Sequence, residues 1–218
     1  AEAKQLLVWD DPMDEEITAL EATDTWTICT LPPDKTPIGC KWVFKVKFNA
    51  DGTIERYKAR LVAKGYTQQE GIDYHDTFSL VVKLTTVKLI LAISAIYNFS
   101  LHQLDISNAF LNGDLAEEIY MKLPPGYASR KGDKLPENAV CKLQKSLYGL
   151  KQASRQWFLK FSTTLTSLGF IQTHSDHTCF LKSTGDLFLC VIVYVDDIVI
   201  SSNNDSAVAL LKSQLKSF

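Results

Sequence analysis

The stretch LFLCVIVYVDDIVI, residues 187–200, decides the fold of this chain. Its first nine residues, Leu187–Val195, are all apolar and rich in β-branched and aromatic types, and Ile198–Ile200 resume the pattern after Asp196 and Asp197. Apolar runs of this length and composition are typical of buried strands and are too short to cross a membrane. The stretch therefore predicts a central β-hairpin with two carboxylates at its turn.

The two adjacent acids need compensation, because apolar strands exclude water and like charges repel. In an exposed turn, water would solvate both carboxylates, and Asp is a favoured turn residue. The alternative is a divalent metal site, in which hard oxygen ligands hold Mg²⁺ for phosphoryl transfer. A metal site needs a third carboxylate, and Asp105 is the natural donor because it ends a predicted strand within Ser100–Ile106. The residues alone leave both interpretations open.

A second, basic hairpin is predicted closer to the N-terminus. From Cys40 to Phe48 apolar residues alternate with Lys41, Lys45 and Lys47, which indicates a strand with one buried and one basic face. The segment Thr53–Ala63 returns as the second strand and adds further lysines and arginines.

The spacing of apolar residues predicts four helices, near 13–22, 85–97 and 152–168 and from about 206 onward. The second begins at Thr85-Thr86 as its N-cap, and we expect it to be buried because it is almost entirely apolar. The third ends at Gly169, a typical residue just beyond a helix.

Composition excludes several classes of protein. The 218 residues are 46% hydrophobic and 22% charged, which is ordinary for a globular chain and unlike disordered or collagen-like sequences. Five scattered cysteines contain no CxxC pair, so neither a disulfide framework nor a zinc ribbon is indicated. No run is apolar enough for a membrane span, and we see no signal-peptide pattern, so we expect a soluble intracellular protein.

Charge alternates along the chain. Segments 35–69 and 121–160 are basic, whereas 1–34 and 70–120 are acidic, although the net charge is only −2. This alternation suits a protein that grips a polyanion with some surfaces and holds cations with others. Solvated faces of ordinary helices and hairpins would give the same pattern.

Five sequence blocks carry a resemblance to a known family. In chain order they are IGCKWVFK at 38–45, YKARLVAKGY at 57–66, LHQLDISNAFLNG at 101–113, SLYGLKQA at 146–153 and YVDD at 194–197. A lone YVDD is a weak signal, whereas five ordered blocks of this length are specific. The chain resembles the reverse transcriptase of copia-type long-terminal-repeat retrotransposons from about Trp9 to its last residue.

The resemblance implies an α+β fold made of fingers and palm. The palm would hold a four-stranded antiparallel sheet backed by helices in a split β-α-β pattern. Residues 1–98 would be mainly fingers and 99–218 mainly palm, with part of 114–150 returning to the fingers. Because the family continues with a thumb and usually a ribonuclease H domain, we expect the chain to be truncated before them.

The resemblance also implies an RNA-directed DNA polymerase, a nucleotidyltransferase in which a primer 3′-hydroxyl attacks the α-phosphate of a deoxynucleotide. Two Mg²⁺ ions, with Mn²⁺ as an alternative, would serve as cofactors. Asp105 and Asp196 would bridge both ions, the backbone carbonyl of Ile106 would add a ligand, and Asp197 would support the site. The implied partners are an RNA or DNA template with primer and deoxynucleotides, without a membrane. The implied location is the cytoplasm, within a virus-like particle for an intact element.

Further site residues follow from the resemblance. Arg60 and, across the hairpin, Lys47 would contact the nucleotide phosphates. Phe110 would exclude a 2′-hydroxyl, and Tyr148-Gly149 would lie beside the base or sugar. Four cations would contact template or primer phosphates: Lys142, Lys145, Lys151 and Arg155. Each has a plainer interpretation, namely solvated lysines, a core aromatic or turn packing.

Two other functions remain open at this stage. One is a catalytically inactive, truncated or domesticated retroelement fragment with residual nucleic-acid binding. The other is a different two-metal phosphoryl transferase, such as a nuclease or a cyclase, which the finger and YGLK blocks disfavour.

Overall fold

The computed structural model describes residues 7–74, 76–77, 81–106, 109–131 and 135–216. The chain divides into two units, each assembled from two segments. The first comprises Ala1–Thr77 and Asp114–Ala153, and the second comprises Phe78–Gly113 and Ser154–Phe218. The chain thus leaves the first unit near residue 77, whereas the expected boundary between fingers and palm lies at 98. The fingers and palm assignment itself stays a prediction.

The helices are α1 (Asp10–Ala22), α2 (Leu84–Tyr97), α3 (Tyr127–Lys131), α4 (Ala153–Ser167) and α5 (Asp205–Lys216). The strands are β1 (Trp26–Thr30), β2 (Cys40–Phe48), β3 (Ile54–Ala63), β4 (Ser100–Asp105), β5 (Tyr120–Lys122), β6 (Ala139–Leu143), β7 (Ile171–Gln172), β8 (Cys179–Thr184), β9 (Leu187–Tyr194) and β10 (Asp197–Ser202). Short 3-10 helices span Leu7–Trp9, Gly65–Thr67 and Ala109–Asn112. None of the helices in these described ranges combines the length and hydropathy of a membrane span.

The first unit contains the basic hairpin, in which β2 and β3 pair antiparallel. Its apolar face packs against Trp9 and Met13, so the predicted alternation of buried and basic faces is confirmed. The prediction for Phe48 is wrong, because Phe48 is 60% exposed, and the register of the pair shifts between Lys47 and Phe48. The extra residue of this bulge is Glu55 on β3, and Phe48 lies beyond the apolar cluster that covers Trp42, Phe44 and Val46.

Strand β3 is bound along its second edge as well. The Leu61 backbone N–H donates to Oε1 of Glu16 on α1 at 3.1 Å, and the Ala63 N–H donates to the Tyr148 carbonyl at 2.7 Å. Both partners are distant in sequence, so this edge is satisfied by tertiary contacts. The first unit also holds a three-stranded antiparallel sheet in the order β1-β6-β5.

The second unit is built on a five-stranded antiparallel sheet in the order β4-β10-β9-β8-β7. The predicted hairpin is its centre, where β9 and β10 pair with Tyr194 opposite Asp197. The expectation of four strands misses one, because β7 is a two-residue edge strand with no alternation to detect. An α+β fold with antiparallel sheets is confirmed at this coarse level.

One face of the five-stranded sheet carries the main apolar core of the second unit. Buried residues of α4 and α5 pack there against β9 and β10, among them Trp157, Phe161, Leu165, Val208, Leu211, Val191, Val193, Ile198 and Ile200. Helix α4 stops at Ser167, and Gly169 has φ +85, so the predicted glycine after the helix is confirmed.

The other face of the sheet is covered by α2. Its Ile90 contacts Cys190 and Ile192, and its Ser94 hydroxyl lies 2.7 Å from that of Ser201. Helix α2 differs from its prediction in two ways. It begins at Leu84 with Lys83 as its N-cap, so Thr85 and Thr86 both lie within the helix, and it is buried only at Ile90 and Ser94. We expected α2 to be buried because it is almost entirely apolar. One face of a sheet, however, can cover only one side of a helix.

Candidate active site

Three predicted acids lie at the same end of the five-stranded sheet. In the antiparallel pair β4–β10, Asp197 stands directly opposite Asp105. The Ile106 N–H donates to the Asp196 carbonyl at 3.0 Å, which ties the turn to the end of β4. Residues directly opposite on antiparallel strands share a face, with Cβ atoms about 4.5–5.5 Å apart. The fold therefore juxtaposes carboxylates that are 92 positions apart in the sequence.

The turn between β9 and β10 has an unfavourable backbone conformation. Val195 adopts φ 57, a region that β-branched residues rarely occupy. The indole Nε1 of Trp157, a residue only 1% exposed, donates to the Val195 carbonyl at 2.8 Å. This bond from the core holds the turn in its strained conformation, so Trp157 has a role in the site that the sequence did not predict. A buried indole needs an acceptor, but no sequence signal identifies which one.

The donor chemistry at this site fits a divalent cation. Carboxylate and carbonyl oxygens are the ligands that Mg²⁺ prefers, and two carboxylates directly opposite one another repel unless a cation lies between them. Among the described residues, however, no three Asp, Glu, His or Cys side chains converge as a formed metal-binding group. Oδ1 of Asp197 accepts a hydrogen bond from Nε2 of Gln103 at 3.1 Å instead. Gln103 is a second neighbour of the acids that the sequence did not predict.

Phe110 lies in the 3-10 helix that follows β4. It packs against the apolar core of the second unit and remains partly exposed. Ile106 packs against the same core. Phe110 therefore has a structural role. Its predicted role in excluding a 2′-hydroxyl stays a prediction.

The basic face of the β2–β3 hairpin carries six cations, namely Lys41, Lys45, Lys47, Arg56, Lys58 and Arg60. Burial, and then the neighbouring charges of Arg60 and Arg56, lower the pKa of Lys58. Lys47 stands opposite Arg56, whereas Arg60 stands opposite Val43. The two predicted phosphate contacts therefore share a face but lie four residues apart along the hairpin, about 13 Å at strand rise.

The structure brings two predicted nucleotide contacts of the first unit together. The guanidinium carbon of Arg60 lies 5.0 Å from the centroid of the Tyr148 ring. The adjacent Gly149 has φ +91, and a Cβ at this position would lie 2.2 Å from the Ala63 carbonyl oxygen. The close approach expected of Gly149 is thus made to the end of β3, within the protein itself.

The cations predicted to bind nucleic acid are divided between the two units. Lys142, Lys145 and Lys151 lie in the first, and Arg155 lies in the second. The ammonium group of Lys142 donates to Glu118 at 2.8 Å, and that of Lys151 donates to the Tyr74 hydroxyl at 3.0 Å.

Glu118 is the centre of a small ion-pair network on the first unit. Hydrogen bonds from Lys142, Tyr120 and Lys35 lower the pKa of its carboxyl to about 2. The ammonium group of Lys142 is therefore already paired with the Glu118 carboxylate within the protein.

A cavity of about 460 Å³ also lies in the first unit. Its lining includes Lys64, Tyr66, Ile72 and Lys122, and it contains none of the site residues predicted from the sequence.

Comparison with known proteins identifies the class to which the chain belongs. It matches the family described as reverse transcriptase (RNA-dependent DNA polymerase) over residues 23–218, and the chain belongs to this family. The resemblance inferred from the sequence blocks is thereby confirmed.

Individual relatives are Pol polyproteins of plant transposons. The chain is 44% identical over 197 residues to the retrovirus-related Pol polyproteins from transposons RE1 and RE2 of Arabidopsis thaliana, covering 90% of this chain and 13% of each relative. It is 44% identical over 210 residues to the retrovirus-related Pol polyprotein from transposon TNT 1-94 of Nicotiana tabacum, covering 94% of this chain and 15% of the relative. The chain thus spans a small part of the length of these relatives.

Proposed function

We propose that this chain is the nucleotidyl-transfer region of a retrotransposon RNA-directed DNA polymerase. The observation that carries the proposal is the placement of Asp105 opposite Asp197, with Asp196 in the adjoining turn. In this proposal the first unit corresponds to the fingers and the second to the palm, and the partners are a primed template and deoxynucleotides.

The three acids and the Ile106 carbonyl would hold Mg²⁺ or Mn²⁺. When bound, the ions supply charge stabilisation at the reacting phosphate and activation of the primer hydroxyl. The chain's own residues position the ligands. Gln103 orients the carboxylate of Asp197, and Trp157 holds the strained turn at Val195.

The remaining predicted contacts divide into nucleotide and nucleic-acid roles. Arg60 would bind the triphosphate of the incoming nucleotide with Lys47 further along the same face, and Phe110 would select against a 2′-hydroxyl. Lys145 and Arg155 would contact phosphates without reading sequence. Lys142 and Lys151 would do so by exchanging their internal partners for phosphate.

Primer extension tests the proposal. The assay uses an RNA template, a DNA primer, all four deoxynucleotides and Mg²⁺ or Mn²⁺, and compares the chain with the double variant Asp196→Asn, Asp197→Asn. A matched control is Asp186→Asn, which removes a carboxylate from the exposed turn between β8 and β9. We expect extension by the chain and by the control and none by the double variant. Equal extension by the double variant would contradict the proposed site.

A second candidate is a nucleic-acid-binding fragment without catalysis. It is favoured by the basic face of the β2–β3 hairpin, whose six cations can bind nucleic-acid phosphates without any catalysis by the acids. If the chain does not extend primers but binds duplex with an affinity that falls as salt rises, this second function is supported. Metal-dependent cleavage of DNA in the absence of nucleotides would support a nuclease instead.

A further inference from the structure

Arg60 stands among like charges. The charge of the Glu16 carboxylate on α1 acts on it, but Glu16 accepts its hydrogen bond from the Leu61 N–H, and no ion pair joins Glu16 to Arg60 within the described residues. The neighbouring positions on its face of the hairpin include Lys45 and Lys58. Its Nε is buried and has no hydrogen-bond partner in the described part of the chain. Repulsion from its cationic neighbours opposes this placement of the side chain, whereas the charge of Glu16 favours it. The group that lies against its guanidinium is the ring of Tyr148, at 5.0 Å.

The backbone of Tyr148 is fastened to the same strand that carries Arg60. The Tyr148 carbonyl accepts the N–H of Ala63, three residues after Arg60, at 2.7 Å. Contact this close requires two glycines, since a Cβ at Gly149 would lie 2.2 Å from the Ala63 oxygen and one at Gly65 would lie 2.0 Å from the Gly149 oxygen.

Further bonds fix the segment that follows. The Lys151 N–H donates to Oε1 of Gln68 at 2.9 Å, and Nε2 of Gln152 donates to the Asp73 carbonyl at 2.9 Å. The backbone of Tyr148 is thus attached to β3 by contacts within the protein, and its ring lies beside Arg60 with no ligand present.

We propose that Tyr148 is a positioning residue, whose ring holds the Arg60 guanidinium by a cation–π interaction in place to receive a nucleotide phosphate. The inference rests on the proposed function and changes the role expected of Tyr148, which was a contact to the base or sugar. A guanidinium attracted to a ring keeps its charge and its N–H donors for an anion, whereas an ion pair with a carboxylate would neutralise it.

A spectroscopic test addresses the contact without any catalysis. In the nucleotide-free chain, the Nε–Hε signal of Arg60, assigned by its disappearance in Arg60→Lys, should carry a ring-current shift. We expect the shift to persist in Tyr148→Phe, which keeps the ring, and to vanish in Tyr148→Leu. The matched control is Tyr66→Leu, an exposed tyrosine of the same unit, which should leave the signal unchanged. An Arg60 signal that is identical in Tyr148→Leu and in the parent chain would overturn the proposal.

A kinetic test addresses the function of the contact. Tyr148→Leu should raise the Michaelis constant for all four deoxynucleotides by roughly three- to thirtyfold with kcat nearly unchanged, and Tyr148→Phe should restore most of the affinity. In an Arg60→Gln background, Tyr148→Leu should have little further effect, because the cation is already gone. An additive effect, or one that depends on the base, would overturn the positioning role and support a direct contact to the nucleotide.

The two tests separate failure of the inference from failure of the proposed function. If the chain extends no primer, the proposed polymerase activity fails, and titration of a deoxynucleotide into the chain while following the Arg60 signal replaces the kinetic test. Perturbation of that signal in the parent chain, with at least threefold weaker binding in Tyr148→Leu, would support the inference. Binding equal in both proteins would overturn it.

Discussion

Replacement of Asp176 by Ala should destabilise the second unit strongly. Asp176 is 6% exposed and accepts four hydrogen bonds. Its Oδ2 accepts from the Lys83 N–H at 2.9 Å and the Thr86 hydroxyl at 2.6 Å, and its Oδ1 accepts from the Thr178 N–H at 3.1 Å and hydroxyl at 2.6 Å. The carboxylate thus joins the start of α2 to the loop before β8.

The size of the loss in unfolding free energy depends on whether each hydrogen-bond donor can find another acceptor after the substitution. Hydrogen bonds to a charged acceptor contribute roughly 1.5–3 kcal/mol each, but they are not additive. Lys83 and Thr86 lie nearer the surface and can bind water, whereas Thr178 is 1% exposed and its donors stay unsatisfied. We therefore expect Asp176→Ala to lower the free energy of unfolding by about 3–5 kcal/mol. Asp176→Asn keeps one acceptor oxygen and should cost about half as much.

The effect should depend on pH in a defined direction. Burial acts to raise the pKa of the Asp176 carboxyl, but the hydrogen bonds from Thr178, Thr86 and the Lys83 N–H outweigh it and hold the pKa below its usual value. Stabilisation by a carboxyl with a lowered pKa is present above its unfolded-state pKa, about 4, and is lost as the pH falls through the folded-state pKa. The difference in stability between the parent chain and Asp176→Asn should therefore narrow below about pH 4.

Hydrogen exchange during urea titration measures this prediction. The backbone amides of β9, such as that of Val193, which donates to the Thr178 carbonyl at 3.0 Å, report opening of the second unit alone. The control is Asp186→Ala in the exposed turn before β9, for which we expect a change within about 0.5 kcal/mol. A change in Asp176→Ala no larger than in this control would refute the reasoning.

Substitutions at Gly149 and Phe110 test other parts of the structure, with Gly52→Ala as the control for Gly149→Ala. Gly149→Ala combines a φ of +91 with a Cβ 2.2 Å from the Ala63 oxygen, so it should lower the free energy of unfolding of the first unit by about 2–4 kcal/mol. Gly52→Ala has φ +85 but no atom within 4 Å, so it should lose only about 1 kcal/mol in the same urea titration. Phe110→Val or Phe110→Ala should raise the incorporation of ribonucleotides relative to deoxynucleotides in primer extension. An unchanged ratio of ribonucleotide to deoxynucleotide incorporation would contradict the predicted exclusion of the 2′-hydroxyl by Phe110.

Much of the fold was predictable, because its signals are local. The alternation from Cys40 to Phe48 predicted both faces of the basic hairpin, and the apolar run before Asp196 predicted β9 and its turn. The sequence-based predictions fail where contacts between distant segments decide the outcome. The exposure of Phe48 and of most of α2 depends on whether another segment packs against these residues. Strand β7 has two residues, too few for any period.

The candidate site was predictable as a set of residues but not as an arrangement. Apolar strands that end at acids, and the resemblance, indicated Asp105, Asp196 and Asp197, yet the contacts of Gln103 and Trp157 came only with the structure. A glutamine on a strand and a buried tryptophan have many ordinary roles, and nothing local distinguishes these two.

The sequence by itself determined four of the helices, the strands of the two predicted hairpins, which faces are basic and which acids end strands, since these depend on patterns within ten to fifteen residues. Only the tertiary structure decided that Asp105 stands opposite Asp197, that Arg60 lies over Tyr148 and that Asp176 binds the start of α2. Such contacts depend on the register of strands and the packing of segments that are tens of residues apart. Register is set by the burial of whole faces and by backbone hydrogen bonds, which no local pattern encodes.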